Sequence, residues 1–205
     1  MRQANGVLGP GGVAKLILVK HSLPVVERGV PASQWRLGEA GRRRCGALAV
    51  ALGPYRPADI VCSQEPKAAE TARQVAEAWG QAHTARPGLH EHQRERVGWL
   101  GDKAFEAAVK RFFEAPTLPV FGEETALAAQ ERFMTALAVA LGQHAGRNLI
   151  VVTHGTVIAL YAAAVDGVGA FALWRSLGLP SFVVFAQAGG PIERIVERVE
   201  VRDGA

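Results

Sequence analysis

The stretch Leu16-Ile17-Leu18-Val19-Lys20-His21-Ser22 is a short apolar run that ends in a lysine and a histidine. A second run of this kind, at residues 148–152, leads through Thr153 to His154 and Gly155. Runs of this length that are rich in Val, Ile and Leu predict buried strands. Each strand delivers a histidine at its carboxyl end, which is the edge where open α/β sheets bind ligands. We therefore expect His21 and His154 to meet at one edge of a sheet.

Strand-like and helix-like segments alternate on either side of these two runs. Strands are predicted at residues 15–20, 59–63, 148–153, 182–185 and 192–201, and Leu89-His90-Glu91 has the form of a short strand's end. Helices are predicted at residues 38–52, 66–80, 105–113, 123–144 and 156–165. The alternation predicts a single three-layer α/β/α domain with a mostly parallel central sheet, spanning residues 15–205.

The composition is that of a globular protein. The chain has 205 residues, of which 49% are hydrophobic and 20% charged, enough for one sizeable domain. The net charge of +4 suits an anionic substrate. The only dense basic cluster, Arg42-Arg43-Arg44, is interpreted as a solvated helix face, so no nucleic-acid partner is expected. No apolar span of 18 residues occurs, so no membrane partner is expected either.

The beginning of the chain and the cysteines favour a cytoplasmic location. Residues 1–14 are predicted to be a flexible N-terminal extension, because their Gly-rich start lacks the apolar core of a signal peptide. Cys45 and Cys62 are not spaced as a metal or redox pair and are interpreted as small apolar fillers. The remaining metal-ligand candidates match no zinc spacing, so no metal site and no cofactor are expected; they are His83, His90, His92 and His144.

Basic side chains lie near the predicted strand ends. Lys20 directly precedes His21. Ser63 ends the strand predicted at residues 59–63, and Lys67 lies one turn into the helix that follows it. Because both lysines accompany strand ends, we expect them to face the same ligand as the histidines, and that ligand to be an anion.

A helix start lies directly after the second histidine. Gly155 and Thr156 open this helix, and a helix N-terminus presents free N–H groups and a positive dipole end. Neutral imidazole is a competent nucleophile near pH 7. An anion pocket that contains two imidazoles and two lysines therefore indicates phosphoryl transfer through a phosphohistidine, with the lysines offsetting phosphoryl charge.

These motifs, in this order, resemble those of the histidine phosphatase superfamily, also called phosphoglycerate mutase-like. Lys20-His21-Ser22 stands where the family has Arg-His-Gly, and Val152-Thr153-His154-Gly155 matches the family's Val-x-His-Gly. Other stretches resemble further family motifs in the same order; they are residues 35–41, 63–72, 89–91 and 122–124, with Arg132. The resemblance covers residues 15 to about 165, which is most of the chain.

The resemblance implies a phosphomonoester hydrolase that acts without metal on a small phosphorylated substrate. His21 would be the nucleophile that becomes phosphorylated, and His154 would contact the transferring phosphoryl group. Lys20 and Lys67 stand where the family places two phosphate-binding arginines. The backbone N–H of Gly155 would also contact phosphate.

One acidic residue completes the implied site. Glu91 stands where many members keep a general acid and base, which protonates the leaving oxygen and later activates water. The sequence after Glu91 is irregular against the family pattern, so Glu95 remains a rival for that role.

Departures from the family pattern keep other hypotheses open. Lysine keeps the charge of arginine but loses its planar two-pronged fork, and Ser22 in place of glycine restricts the backbone. A non-catalytic phospholigand-binding protein of the same fold is therefore the alternative. A phosphomutase ranks lower, because the chain is short and its middle region compact. The oligomeric state stays open, with a homodimer as one option, since the last strand is either exposed or paired with another subunit.

Overall fold

The structure is a computed structural model that describes residues 14–201. Six strands form one sheet; they are β1 (Leu16–Lys20), β2 (Ala58–Ser63), β3 (Thr84–Arg86), β4 (Asn148–Thr153), β5 (Ser181–Phe185) and β6 (Ile192–Val196). Their order across the sheet is β3-β2-β4-β1-β5-β6. The strands β3, β2, β4 and β1 are parallel, β5 is antiparallel to β1, and β6 is antiparallel to β5. The predicted mostly parallel sheet is confirmed.

Helices cover both faces of this sheet. Those within residues 14–201 are α1 (Glu39–Leu52), α2 (Pro66–Trp79), α3 (Asp102–Glu114), α4 (Ala126–Gln143), α5 (Gly155–Asp166) and α6 (Ala170–Ser176). Buried side chains of α1 and α2 form one apolar cluster with the sheet, and those of α4, α5 and α6 form a second cluster on the other face. The three-layer α/β/α architecture is confirmed.

The central strand β1 shows why the sheet is covered on both faces. Leu16 and Leu18 belong to the cluster with α4 and α5, whereas Ile17 and Val19 belong to the cluster with α1 and α2. All four side chains are fully buried. Successive side chains of a strand point to opposite faces, so an unbroken apolar run requires a covering layer on each side.

The register of the parallel strands places the ends of β1, β2 and β4 next to one another. Lys20 pairs with Thr153 across β1 and β4, and Cys62 pairs with Val152 across β2 and β4. The residues that follow these strands therefore emerge at the same edge of the sheet. Two long helices begin there, since α2 follows β2 and α5 follows β4.

Three elements differ from the predictions. Leu89-His90-Glu91 is irregular, and the nearby strand β3 ends earlier, at Arg86. Side chains bind the backbone of this segment instead: Thr153 Oγ1 donates to the Leu89 carbonyl at 2.6 Å, and Arg132 donates to the His90 carbonyl at 2.9 Å. The last strand, β6, ends at Val196 and not at residue 201. The short helix α6 was not predicted, because seven residues show little periodicity.

Other sequence expectations fall outside or at the margin of the described chain. The predicted flexible extension comprises residues 1–14, of which the structure describes only Ala14. Both cysteines are buried as free thiols, which confirms their interpretation as core fillers. No helix within residues 14–201 is long and apolar enough to cross a membrane.

The basic cluster at the start of α1 is largely exposed, as predicted, and two of its side chains also bind nearby loops. Arg42 donates to the Leu37 carbonyl at 2.8 Å, and Arg44 donates to the Leu179 carbonyl at 2.7 Å. Arg43 pairs with Glu39 on the solvent side of the helix. Two of the three guanidinium groups therefore fasten loops.

Candidate active site

The two predicted histidines meet at the carboxyl edge of the sheet. The ring centroids of His21 and His154 lie 5.2 Å apart at an interplanar angle of 62°. His21 is 7% exposed and His154 is fully buried. The two imidazole rings therefore lie next to each other, as the two predicted strand ends indicate.

The His21 ring is held in one tautomer. Its Nδ1 lies 2.8 Å from the Ser22 carbonyl oxygen, which can only accept a hydrogen bond, so Nδ1 carries the proton. Burial lowers the pKa of His21 well below its usual range, and His154 and Lys67 lower it further. His21 is therefore neutral at pH 7, and the free lone pair lies on Nε2.

His154 is fixed by the end of a neighbouring strand. Its Nε2 lies 2.9 Å from Oγ of Ser63, the last residue of β2. His154 is also the residue directly before α5, so its backbone belongs to the start of that helix. Burial lowers the pKa of His154 well below its usual range, and Lys67 adds to the shift. A second neutral imidazole results.

Lys67 reaches the site from the first turn of α2. It is 5% exposed, and its Nζ donates to the Ala32 carbonyl at 2.5 Å and pairs with the Glu65 carboxylate. The Ala32 contact ties the loop after β1 to α2. Lys67 is thus a buried cation next to both imidazoles, as its place in the sequence predicts.

Glu65 lies in the candidate site, although the sequence did not predict it there. Its Oε1 accepts the backbone N–H of Glu91 at 2.9 Å and lies 3.6 Å from Nε2 of His154, while its Oε2 pairs with Lys67. A carboxylate therefore lies among groups that would bind an anionic ligand. The only signal in the sequence was its position between Ser63 and Lys67, directly before the helix proline.

Lys20 borders the start of α5. Its Nζ donates to the Leu177 carbonyl at 2.6 Å, and its side chain lies over Gly155. A Cβ at position 155 would lie 3.1 Å from Lys20 Cε, so glycine leaves room for the lysine. Burial lowers the pKa of Lys20 to about 8, although the Glu91 carboxylate opposes the shift.

Glu91 is bound at the same helix start. Its Oε2 accepts the Thr156 N–H at 3.2 Å, and its Oε1 accepts the His92 N–H at 3.0 Å. Burial favours the protonated acid, but the adjacent His92 and the positive charges around the carboxylate, Arg94 among them, outweigh it and lower the pKa of Glu91 well below its usual range. Glu91 is therefore a carboxylate in the free protein.

The rival carboxylate, Glu95, lies farther out. It is exposed, and its Oε2 accepts the Ser33 hydroxyl at 2.8 Å. It lines a small polar pocket together with Lys67 and Glu91, at the side that opens toward solvent. Of the two, Glu91 lies next to the α5 start that follows His154.

An arginine clamp holds the Glu91 segment. Arg132 donates from Nε and Nη2 to the two carboxylate oxygens of Glu124, both at 2.8 Å. The same guanidinium donates to the carbonyls of Gly88, His90 and Glu91 at 2.8, 2.9 and 3.1 Å. Helix α4 thereby fixes the backbone that carries Glu91.

A larger cavity lies beside the polar pocket. Its volume is about 510 Å³, and four aromatic side chains form part of its wall; they are Trp35, Trp99, Phe105 and Phe121. The cavity and the polar pocket share Ala32, Arg94 and Glu95 as lining residues. The two spaces are therefore neighbours.

The family model of the histidine phosphatase superfamily (branch 1) matches residues 23–190. The chain belongs to this superfamily. Among curated proteins, no sequence match was found. The sequence resemblance drawn from the ordered motifs is thus confirmed at the level of the superfamily.

Solved structures of other proteins share this fold of the histidine phosphatases. A mycobacterial glucosyl-3-phosphoglycerate phosphatase is 23% identical, with 89% of this chain and 97% of that chain covered and a TM-score of 0.69. A phosphoserine phosphatase from Entamoeba histolytica is 15% identical, covering 89% and 96%, with a TM-score of 0.71. An alpha-ribazole phosphatase from Shigella flexneri is 18% identical, covering 92% and 100%, with a TM-score of 0.65. At these identities the likeness shows the fold alone.

Ser22, a departure from the histidine phosphatase pattern, fits without backbone strain. No residue other than glycine within residues 14–201 has a positive φ, so the position does not require glycine here. The Ser22 N–H donates to Thr71 Oγ1 at 3.0 Å, and its hydroxyl donates to the Gly41 carbonyl at 2.7 Å. The turn therefore accommodates serine in an ordinary backbone conformation.

The position near this turn that requires glycine is residue 41, not residue 22. A Cβ at this position would lie 2.1 Å from the Leu23 carbonyl oxygen. The first turn of α1 can therefore approach the loop after β1 only because residue 41 lacks a side chain. The Ser22–Gly41 contact thus holds the loop after His21 against α1.

The remaining histidines do not form a metal site in the described chain. Within residues 14–201, no group of three or more His, Cys, Asp or Glu side chains lies close enough to hold a metal ion. His144 binds Asp59 with a 2.8 Å contact from Nδ1. His92 is buried against Phe112 and Phe121, with ring centroids 4.4 and 5.2 Å apart.

Proposed function

We propose that this protein hydrolyses small phosphomonoesters through a phosphohistidine formed on Nε2 of His21. The observation that carries the proposal is the hydrogen bond from His21 Nδ1 to the Ser22 carbonyl, which leaves Nε2 as a neutral nucleophile. Membership of the histidine phosphatase superfamily supports the same class of reaction. The proposed reaction requires no metal ion or other cofactor.

In the first step, His21 Nε2 attacks phosphorus, a P–N bond forms and the ester P–O bond breaks. Lys20, Lys67 and the N–H of Gly155 would offset the charge on the phosphoryl oxygens. Glu91 is ionised in the free protein, so the proton for the leaving oxygen arrives with the substrate. A phosphate monoester has a second pKa of about 6, and its monoanion supplies that proton through Glu91.

In the second step, water attacks the phosphohistidine. The Glu91 carboxylate accepts a proton from this water as the P–N bond breaks and His21 returns to its neutral form. Glu91 then passes this proton to the departing phosphate, which leaves as its monoanion, and Glu91 is again a carboxylate. A depressed pKa suits this step, because the base must be ionised before water arrives. His154, which follows the neighbouring parallel strand β4, would contact the phosphoryl group in both steps.

Phosphate release from an aryl phosphate, measured with EDTA present, tests the proposal. We expect activity that resists EDTA, and a loss of roughly a thousandfold or more in the His21→Ala variant. Rapid acid-free quenching should trap an acid-labile phosphoenzyme in the wild type alone. His83→Ala is the matched control, since His83 precedes β3 at the opposite edge of the sheet. Full activity in the His21→Ala variant would refute the mechanism.

A non-catalytic phospholigand-binding protein is the second candidate. The lysines at positions 20 and 67 motivate it, because an ammonium group binds phosphate as a point charge without the planar two-pronged fork of arginine. Calorimetry with inorganic phosphate separates the candidates. Phosphate binding by a protein that releases no phosphate from any tested ester would support the binding function over hydrolysis.

A further inference from the structure

The aromatic cavity is built by two segments outside the sheet. Trp35 comes from the loop between β1 and α1, and Trp99 and Phe105 come from the region where α3 begins. The rings of Trp35 and Trp99 lie 6.3 Å apart, and those of Phe105 and Phe121 lie 5.7 Å apart. Flat apolar surfaces on two sides suit a flat apolar ligand.

The position of the cavity fixes what part of a substrate would enter it. Lys67, whose charge acts on His21, lines the polar pocket together with Glu91, and that pocket shares Ala32, Arg94 and Glu95 with the cavity. The group bonded to the ester oxygen would therefore extend from the polar pocket into the cavity. This step rests on the proposed phosphatase function.

Arg94 lies at the boundary between the two spaces. Its guanidinium carbon is 5.0 Å from the ring centroid of Phe105 and 5.8 Å from that of Phe121. Its Nε is buried with no hydrogen-bond partner among the described residues. A buried donor without a partner is unfavourable, so its place at the junction points to an anionic ligand.

A second arginine in the cavity is also held by an aromatic ring. The guanidinium carbon of Arg28 lies 5.2 Å from the ring centroid of Trp99. Neither Arg28 nor Arg94 takes part in any ion pair found within residues 14–201, whereas Arg36, Arg43 and Arg73 do. The cavity thus combines aromatic walls with two guanidinium groups that form no close ion pair, beside the carboxylates of Glu95 and Asp102.

We propose that the natural substrate is a phosphomonoester of a flat aromatic group that carries a second anion, with the ring in the aromatic cavity and the second anion on Arg94. The stacking partner is Trp99, which is 43% exposed and so free to contact a ligand. Trp35 has a structural contact as well, because its Nε1 donates to the carbonyls of Glu27 and Val30.

Binding of three non-hydrolysable phosphonates, measured by calorimetry, tests this proposal without turnover. Methylphosphonate probes the polar pocket, benzylphosphonate adds the ring, and carboxybenzylphosphonate adds the second anion. We expect benzylphosphonate to bind about tenfold more tightly than methylphosphonate. Carboxybenzylphosphonate should bind about tenfold more tightly again, because a charge-assisted hydrogen bond forms.

Two variants assign these gains to single residues. Trp99→Ala should remove the gain from the ring, and Arg94→Gln should remove the gain from the carboxylate. Val50→Ala and Arg43→Gln are the matched controls, since both residues are exposed on α1 and lie outside the cavity. Both controls should keep the two gains, and circular dichroism should show the wild-type fold in all four variants.

Equal affinity for the three phosphonates would overturn the proposal. The proposal would also be overturned if Arg94→Gln still bound carboxybenzylphosphonate more tightly than benzylphosphonate. A preference for benzylphosphonate in a protein that releases no phosphate from phenyl phosphate would disprove the hydrolase function and keep the cavity assignment. Turnover of phenyl phosphate with no preference among the phosphonates would support the hydrolase function and overturn the cavity assignment.

Discussion

Glu65 places a negative charge inside a pocket whose other groups favour anions. The carboxylate engages Lys67 and the Glu91 N–H and lies 3.6 Å from His154 Nε2. Phosphate would compete with it for the same contacts. At neutral pH this competition should weaken phosphate binding, and the side chain must move or share Lys67 when a ligand arrives.

We predict that Glu65→Gln binds inorganic phosphate about tenfold more tightly, or by about 1.4 kcal/mol, because the competing charge is gone while the side chain keeps its shape. Calorimetry at pH 7 measures the change. Glu77→Gln is the matched control, since Glu77 pairs with Arg73 on the exposed face of α2, the helix that begins directly after Glu65. Weaker binding by Glu65→Gln would mean that this carboxylate positions Lys67 for the ligand.

Lys20 makes the pocket sensitive to alkaline pH. Its pKa is about 8, so its positive charge is present below that pH and is lost as the pH rises through it. We predict that kcat/KM, which reports the free enzyme, declines above pH 8. In Lys20→Arg the decline should be absent, because a guanidinium keeps its charge throughout this range.

A pH profile of kcat/KM from pH 6 to 10 for both proteins makes this comparison. The acid side should change little between them, since Lys20 is charged there in either case. An unchanged alkaline decline in Lys20→Arg would assign the titration to another group.

Helix α4 holds the segment that carries Glu91 in place through Arg132. Arg132 makes two hydrogen bonds to Glu124 and three to backbone carbonyls of residues 88–91. Lysine at this position keeps the charge but cannot reach these acceptors together. We predict that Arg132→Lys lowers the free energy of unfolding by about 2–3 kcal/mol, and that kcat falls because Glu91 loses its support.

Urea unfolding and steady-state kinetics measure these two effects. Arg73→Lys is the matched control, because Arg73 makes a single exposed pair with Glu77. Its free energy of unfolding should change by less than about 0.5 kcal/mol. Wild-type stability in Arg132→Lys would show that the clamp is dispensable.

The sequence predicted the regular elements better than the segments between them. The strands that end at Lys20 and Thr153 were found because their apolar runs and their flanking residues agree. The segment 89–91 was misjudged as a strand end, because its backbone is bound by the side chains of Arg132 and Thr153. No local pattern in a sequence reveals such distant partners.

The residues of the candidate site were likewise predicted only in part. The histidines and lysines could be predicted because strand ends and helix starts place them. Glu65 and Arg94 could not, since a carboxylate in an anion pocket contradicts the pattern, and Arg94 lies in an irregular stretch. Their roles depend on how loops fold over the sheet edge.

Across the whole molecule, the sheet separates two apolar clusters. Ile60 belongs to the cluster under α1 and α2, whereas Ile158 belongs to the cluster under α4 and α5. We predict that Ile60→Val and Ile158→Val each lower the free energy of unfolding by about 1 kcal/mol. Because they share no cluster, the double variant should lose the sum to within about 0.5 kcal/mol.

Urea unfolding of the wild type, both single variants and the double variant completes this cycle. Equal m-values among the four would support the comparison of their midpoints. A double variant that loses much more than the sum would show that the two faces are coupled through the strands.

The candidate catalytic residues and the cavity walls belong to different parts of the chain. His21 and His154 directly follow strands of the sheet, whereas the aromatic walls come from loops and from the start of α3. Chemistry and selectivity can therefore diverge independently. A laboratory library confined to residues 26–35 and 94–102 should yield enzymes with new preferences and an unaltered reaction, and loop exchange between distant relatives should transfer selectivity as a module.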